Sequence, residues 1–369
     1  NKLLNAKSLN NIKSLRIFKN VKSEVIEGSE ANTKVINIEV EEKPTGEITI
    51  GAGVGSEGGS MGFGVTENNF LGKGVKLSTS LRVTDDSIRG AFNINNPNFN
   101  YSNKSLSTTV ESTQIDKLSD NGYETTKTGF SFGTGFEQYE NTYFRPSIST
   151  YFEDLTTNSK ASDNLKKQSG NYFDTKFSYN LDFDNRNQRF QTSEGSRFIF
   201  AQGIPLISEE YSLMNSIDFQ KWMKFNNEII TSIGVYGKMV NSVKDENVRI
   251  TDRLGLPRKK LKGFQYNAIG PVDAGDYVGG NYATAINFTS TLPMIMPSFE
   301  TIDFKYFIDI GNVWGVDYSS SIDDSNKIRS STGLGVEWFT PIGPMTFSLA
   351  QEITKASTDK TEGFQFNLG

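Results

Sequence analysis

From Glu47 to the end, the chain repeats one pattern: segments of about ten residues in which apolar positions alternate with small or polar ones, divided by clusters of Asn, Asp, Gly and Ser. Side chains two apart share a face of a strand, so a period of two predicts β-strands with one apolar face and no helix. In TIDFKYFIDIGNVWG, Ile302, Phe304, Tyr306, Ile308 and Ile310 fall on one face, and Asp303, Lys305, Phe307, Asp309 and Gly311 on the other. KIRSSTGLGVEWF repeats the split, with Ile328, Leu334, Val336 and Trp338 opposite Arg329, Gly333, Gly335 and Glu337. GFQFNLG sets Phe364, Phe366 and Leu368 against Gln365 and Asn367. A soluble β-sandwich alternates in the same way, so length and aromatic placement decide. Many segments run past ten residues and carry Tyr, Phe or Trp near their ends, as at 306–314 and 222–225, whereas ordinary strands run to roughly five or six residues. These features favour a transmembrane barrel, and the segments number about sixteen, an even count as a closed bacterial barrel requires.

Residues 1–46 read differently. Leu3, Leu4, Leu9, Ile12 and Leu15 recur at helical spacing, and FKNVKSEVIEGSE and TKVINIEVEEK follow as two β-rich segments around a Gly-Ser turn. A helix and two strands are marginal alone, so this is expected to be the tail of a small α+β module, with Pro44 and Gly46 marking its boundary. NKLLNAKSLNNIKSL lacks the continuous apolar core of a signal peptide, and the chain is expected to begin inside a longer protein.

Composition then narrows the chemistry. Lys and Arg total 38 against 43 Asp and Glu, a net charge of -5 that offers no basic excess for nucleic acid. Aromatic residues make up 12% and apolar residues 36%, too aromatic for disorder and too polar for a helical membrane protein. No uncharged apolar stretch approaches the roughly 18 to 20 residues of a spanning helix. Cys and His are both absent, which closes thiolate and imidazole nucleophile systems, Ser-His-Asp triads, disulfides and the usual Cys/His metal sites. Neither enzymatic chemistry nor a cofactor is expected. Gly53, Gly55 and Gly58 match G-x-G-x-x-G, but SMGFGVTENNF keeps alternating after them, so no helix N-terminus follows to hold a phosphate; the reading is a Gly-rich strand and hairpin. Asp182 and Asp184 lack the spacing of a cation loop and read as a solvated strand end.

One connection breaks the rhythm. LGLPRKKLKGFQYNAIGP, residues 254–271, lies in a segment from about 242 to 281, and its basic run Arg258, Lys259, Lys260 and Lys262 leads into Gly263 and Phe264. Such a run either lies on a solvated surface or meets phosphate-bearing headgroups. Leu261, Lys262, Gly263 and Phe264 together resemble the V/I-R-G-F signature of the BamA family of outer-membrane assembly factors. Further matching stretches are NNFLGKG at 68–74, NNPNF at 95–99, DNRNQRFQTSEGS at 184–196, FIDIGNVW at 307–314, IRSSTGLGVEWFTPIGPMTFSLAQ at 328–351 and the terminal GFQFNLG. The resemblance covers essentially the whole chain.

It implies a sixteen-stranded barrel that folds and inserts other barrel proteins into the bacterial outer membrane, with polypeptide-transport-associated (POTRA) modules in the periplasm. The implied partners are unfolded outer-membrane protein clients, assembly lipoproteins, and the lipid and lipopolysaccharide of the membrane. Residues 1–46 would be the C-terminal part of the last POTRA module and 47–369 the barrel, with 242–281 its sixth extracellular loop. In the family that loop turns back into the lumen and its Arg contacts an acid in an F-x-D-x-G motif; by motif position these are Lys262 and Asp309. The implied latch is Leu261 to Phe264 with Asp309, beside Asn287, Gly311 and Glu337 on the lumen wall. Lys262 stands where Arg is usual and Asn287 where relatives often carry Glu, and a point-charge ammonium in place of a planar fork predicts a looser latch.

A barrel closes where its first strand meets its last. EITIGAGVGS and EGFQFNLG are Gly-rich or short, so Ile48, Ile50, Gly51, Gly53 and Gly55 against Phe364, Gln365, Phe366, Asn367 and Gly369 are expected to form a weak seam, a lateral gate at which an incoming strand can pair. A disulfide between the neighbourhoods of residues 51 and 365 is expected to lock it. Gly369 ends the chain in mid-alternation, as a truncated terminus would. A two-partner secretion transporter is the nearest alternative; a passive porin is more distant, because an open pore has no use for a long basic Gly-Phe loop.

Overall fold

A computed structural model describes residues 5, 8–10, 12, 13, 17–30, 33–56, 58–189, 191–226, 229–244, 246–293, 301–340 and 343–368. Among these, sixteen antiparallel strands run from Gly46–Gly55 to Phe364–Leu368, each hydrogen-bonded to its neighbour in sequence, and the last pairs with the first to close a barrel. Closure pairs the strands without water around the barrel, with the shortest ladder between last and first, and such pairing is what lets strands cross hydrocarbon. The alternation sorts the side chains as the pattern requires. Phe63, Phe130, Phe152, Phe173, Ile310 and Leu334 are exposed on the outside, whereas Phe307, Asp309 and Gln365 are buried within. An apolar outer face on a closed sheet is a transmembrane barrel. No helix among the described residues is long and apolar enough to cross a membrane.

The first barrel strand begins at Gly46, one residue before the alternation becomes legible. A single turn of α-helix, Asp163–Lys166, interrupts the connection after the seventh strand, Thr142–Thr157; the Ser162 hydroxyl caps it by accepting from the Leu165 amide at 3.2 Å. Four residues are too few to show a helical period, so the sequence carries no signal for it. Before the barrel, Phe18–Glu27 and Lys34–Glu42 form a separate two-stranded sheet, and the described residues between 5 and 13 are helical. Leu3, Leu4 and Leu15 of the expected helix lie outside the described residues.

The N-terminal segment enters the barrel at one end, and the connection between the eleventh strand, Ile230–Ser242, and the twelfth, Tyr282–Thr291, leaves from the other. That connection folds inward and makes its own core. Val248, Leu254, Leu256, Leu261 and Phe264 pack against Val240, Ala283 and Val313 of the wall, while Ile250 and Val278 join Leu155, Leu165 and Tyr172 on another part of it. Burying each large aliphatic or aromatic group stabilises the inward conformation by about 1.5–3 kcal/mol relative to leaving it exposed, so the loop is held by packing before any charge is considered.

Candidate functional site: the loop latch and the barrel seam

Asp309 lies on the thirteenth strand, Ile302–Trp314, with its side chain in the lumen and fully buried. The loop brings Lys262 to it: Nζ stands 2.8 Å from Asp309 Oδ2, and the Lys262 backbone N–H donates to the same oxygen at 3.1 Å. The other carboxylate oxygen, Oδ1, accepts from Asn287 Nδ2 at 2.7 Å, and that amide nitrogen also donates to the Lys260 carbonyl at 2.8 Å. Asn287, opposite Asp309 in the ladder, therefore ties wall to loop as a neutral group. Lys262 Nζ sits 4.2 Å from the centroid of the Phe307 ring, a cation–π contact on the same face. The geometry that a lone ammonium leaves loose is fixed by the backbone amide beside it.

The neighbouring residues explain the rest of the motif. Gly263 has φ +88°, and a Cβ there would stand 3.0 Å from the Ala350 Cβ, so both conformation and space call for glycine. A Cβ at Gly311 would meet Leu256 Cδ1 at 2.8 Å, which makes Gly311 the place where the wall lets the loop approach. Leu261 and Phe264 are 2% exposed, and Ser331 Oγ donates to the Lys262 carbonyl at 2.6 Å. Glu337 lies on the same wall but is ion-paired with Lys305 at 2.6 Å, so its partner is another wall residue and not the loop.

Two readings of charge are corrected. The basic run faces the lumen and not a headgroup layer: Arg258 pairs with Glu362, Lys260, 7% exposed, meets Asp218 at 2.7 Å inside the barrel, and Lys259 is exposed to the lumen cavity. Composition tells that a loop is basic but not that its apolar residues will pull it inward. Asp182 and Asp184 are not a solvated strand end either, because Arg197 and Arg145 hold Asp182 at 2.9 and 3.2 Å and Arg186 holds Asp184 at 2.8 Å.

A further anchor has no motif. Arg249, 1% exposed, reaches Glu153 at 2.6 Å, Asp174 at 3.1 Å and Glu210 at 3.1 Å, with its guanidinium 3.7 Å from the Tyr172 ring centroid. Burial holds the Glu210 carboxyl above its usual range, although Arg249 draws it down. Close by, Lys176 meets Asp252 at 3.1 Å. The only sequence trace of this anchor is acids at lumen positions of adjacent strands, Glu153 in Thr142–Thr157 and Asp174 in Gly170–Asp184.

The seam between first and last strands is short. Gly55 pairs with Asn367 and Val54 with Leu368; one rung beyond, the Ser56 N–H donates to the Phe366 carbonyl and the Phe366 N–H to Ser56 Oγ, both at 3.0 Å. Elsewhere neighbouring strands pair along most of their length, as from Ser105–Gly135 to Lys117–Tyr123. Ile48 and Ile50, on the unpaired stretch of the first strand, are 71% and 77% exposed. Gly51, Gly53 and Gly55 give that strand a lumen face without side chains, and nothing lies within 4 Å of a Cβ built at Gly51. A cavity of about 1240 Å³ lies against this face, bordered also by Lys262, Lys305, Glu337 and Gln365. Phe364 and Phe366 stack at 6.0 Å, and Gln365, 5% exposed, points inward. On this register the position opposite Gly51 falls past Leu368, so a cross-link for the seam belongs at Val54 and Leu368 and not near 51 and 365. Gly369 lies outside the described residues.

Comparison with known proteins places this architecture. BamA of Neorickettsia risticii is 22% identical over 342 residues, covering 90% of this chain and 46% of that protein. BamA of Neisseria meningitidis is 23% identical over 418 residues, covering 98% and 52% respectively. The chain thus spans about half the length of the curated relatives it matches. Among solved structures, BamA from Haemophilus ducreyi lacking POTRA domains 1-3 superposes with a TM-score of 0.89 at 21% identity, covering 98% of this chain and 77% of that one. The sequence profile of the Omp85 superfamily domain matches residues 69–369, and the chain belongs to that superfamily.

Proposed function

We propose that this protein, an outer-membrane barrel, folds and inserts other β-barrel proteins by offering clients the edge of its own sheet. The observation that carries the reading is the seam: among the described residues a ten-residue first strand meets the last through the ladder pairs Gly55–Asn367 and Val54–Leu368, with Ser56 bonded to Phe366 just beyond its end. The unpaired N–H and C=O groups of Gly46–Gly53 have no solvation in hydrocarbon, so a client strand that pairs with them is stabilised there by β-augmentation. Opening the two remaining pairs lengthens that edge and gives the growing client sheet a lateral path into the bilayer. The client's own burial of apolar surface supplies the driving force, and no nucleotide or covalent intermediate enters.

The N-terminal two-stranded sheet fits the end of a POTRA module, because the BamA superposition covers 98% of the chain and so runs through it. On this reading POTRA modules lie in the periplasm and deliver unfolded clients, with assembly lipoproteins beside them and lipid and lipopolysaccharide around the barrel. The latch of Lys262 on Asp309 holds the loop inside while the seam works.

The test uses the full-length protein reconstituted in liposomes, with an unfolded small barrel protein as client. In the Val54→Cys/Leu368→Cys variant, insertion should be fast when the pair is reduced, stop on oxidation and return with reductant. Undiminished insertion across an oxidised seam overturns the gate. No acceleration by the unlocked protein overturns assembly altogether, and if depletion in cells removes one exported protein and leaves barrel proteins intact, the chain is a secretion transporter.

A further inference from the structure

The last strand pairs along its length with the fifteenth, Gly343–Thr354, but through two residues only with the first, and its lumen side carries a further hold. Gln365 uses both ends of its carboxamide on consecutive residues of the loop: Oε1 accepts from the Gly263 N–H at 3.4 Å, and Nε2 donates to the Phe264 carbonyl at 2.9 Å. A side-chain amide placed this way imitates one rung of a strand. Backbone bonds continue the join on both sides, with the Glu362 N–H donating to the Gly263 carbonyl at 2.9 Å, the Gln265 N–H to the Lys360 carbonyl at 3.0 Å and the Lys360 N–H to the Ala268 carbonyl at 3.0 Å. Gln365 Nε2 also lies 3.4 Å from Glu362 Oε2, whose carboxylate pairs with Arg258 of the loop. These contacts attach to Gly263 and Phe264, the residues that follow Lys262 and share its fixed position on Asp309.

We propose that Gln365 is a positioning residue that fixes the last strand to the loop, so that seating of the latch sets how firmly the seam is closed. Two ladder pairs leave the last strand little hold on the first. The amide bracket and the Arg258–Glu362 pair instead secure it to an element that is itself buried in the wall through Lys262, Asp309 and Asn287. Withdrawal of the loop then removes the lumen support of the last strand in the same event. The inference takes its meaning from the proposed gate, but its readout is a distance across the seam, which is measured without any client.

These 369 residues hold no cysteine, so within them Val54→Cys/Leu368→Cys is the sole thiol pair, and any cysteine elsewhere in the full-length protein is replaced by serine. Ladder partners lie about 4.5–5.5 Å apart, within disulfide reach. In the full-length protein in liposomes, Gln365→Leu, which keeps bulk and removes donor and acceptor, should slow oxidative cross-linking about tenfold, the population change that about 1.4 kcal/mol produces. Glu362→Gln, in the connection before the strand, should slow it in the same direction and serves if Gln365→Leu does not fold, as judged by heat-modifiable migration. Lys262→Glu should also slow it, and adding Gln365→Leu to Lys262→Glu should slow it no further, because both act through the loop. An unchanged rate in folded Gln365→Leu or Glu362→Gln protein overturns the proposal. So does a double variant whose two effects multiply, since the last strand would then be held independently of the latch.

Discussion

Asp309 shows how one buried carboxylate organises a contact. It is 0% exposed and receives Lys262 Nζ, the Lys262 amide and Asn287, so its charge is compensated by one cation and two dipoles. Removing the cation leaves a buried charge whose other partners are neutral, a loss on the order of 3–5 kcal/mol for breaking such a pair. Lys262→Glu should therefore expel the loop tip, read as new protease cleavage near residue 262. Asp309→Lys in the same protein should restore protection in part only, because a lysine at 309 has no acceptor to offer the Lys262 amide or Asn287. A double reversal no better protected than the single would sink the pairing. Lys262→Arg is expected to change protection little: the fork adds a donor, but the backbone amide already fixes the approach. At the other anchor, Arg249→Met removes the cation shared by buried Glu153 and Asp174. It should cost on the order of 3–5 kcal/mol of loop attachment, measured by hydrogen exchange of residues 246–253. Arg249→Lys should not recover this, since an ammonium cannot span three carboxylates and lie flat on Tyr172 at once.

At the level of elements, the loop behaves as a small domain folded inside the barrel, with its own apolar cluster and two charged anchors. The turn that carries Lys262 is Gly263, at φ +88° with Ala350 behind it. Gly263→Ala forces a left-handed conformation that costs a side chain about 1–2 kcal/mol, and should loosen the loop less than Lys262→Glu by the same protease assay while leaving the barrel's heat-modifiable migration intact. Protection equal to the parent would mean that the turn is set elsewhere. What the sequence made legible follows from range. The strands and the inward face of Asp309 rest on a period of two, which is local, and barrel closure was expected from strand length and aromatic ends, with an even strand count in keeping. The latch partners were legible because both sit in short motifs. Arg249 was not, since its acids lie 96, 75 and 39 residues away and each alone looks like an ordinary lumen polar group. Composition alone left the direction of the basic run open, and only the resemblance turned it inward, because Asp218 and Glu362, which pair with it, belong to distant strands and connections. The seam's weakness was visible in its glycines, but its register was not, because register is a property of two strands and not of either one.

For the whole molecule, the two anchors make the loop a strut across the barrel. Arg249 grips the seventh and eighth strands at Glu153 and Asp174, Lys260 the tenth at Asp218, Lys262 the thirteenth at Asp309, and the same loop reaches the last strand through Gln365. A strut held at several points closes the lumen on the loop side and leaves the cavity of about 1240 Å³ open toward the first hairpin. Release at one point should leave the others in place, because Val248, Leu254 and Leu256 of the apolar cluster stay seated when the tip at 261–264 leaves. In planar bilayers the parent and the Lys262→Glu and Arg249→Met single variants should thus conduct ions in small, infrequent steps. The double variant loses the anchors at Arg249 and Lys262 and keeps Lys260 on Asp218 and Arg258 on Glu362. These pairs and the apolar cluster must hold against Asp309 and Asp174, each left without its cation, against Glu153, left with Lys127 at 3.9 Å, and against the new carboxylate introduced at position 262. It should open in large, long-lived steps comparable to those of a barrel from which residues 254–268 have been deleted. A double variant that stays as closed as the parent would show that neither anchor is needed, and would move the origin of the loop's position to its hydrophobic core and the remaining pairs at Lys260 and Arg258.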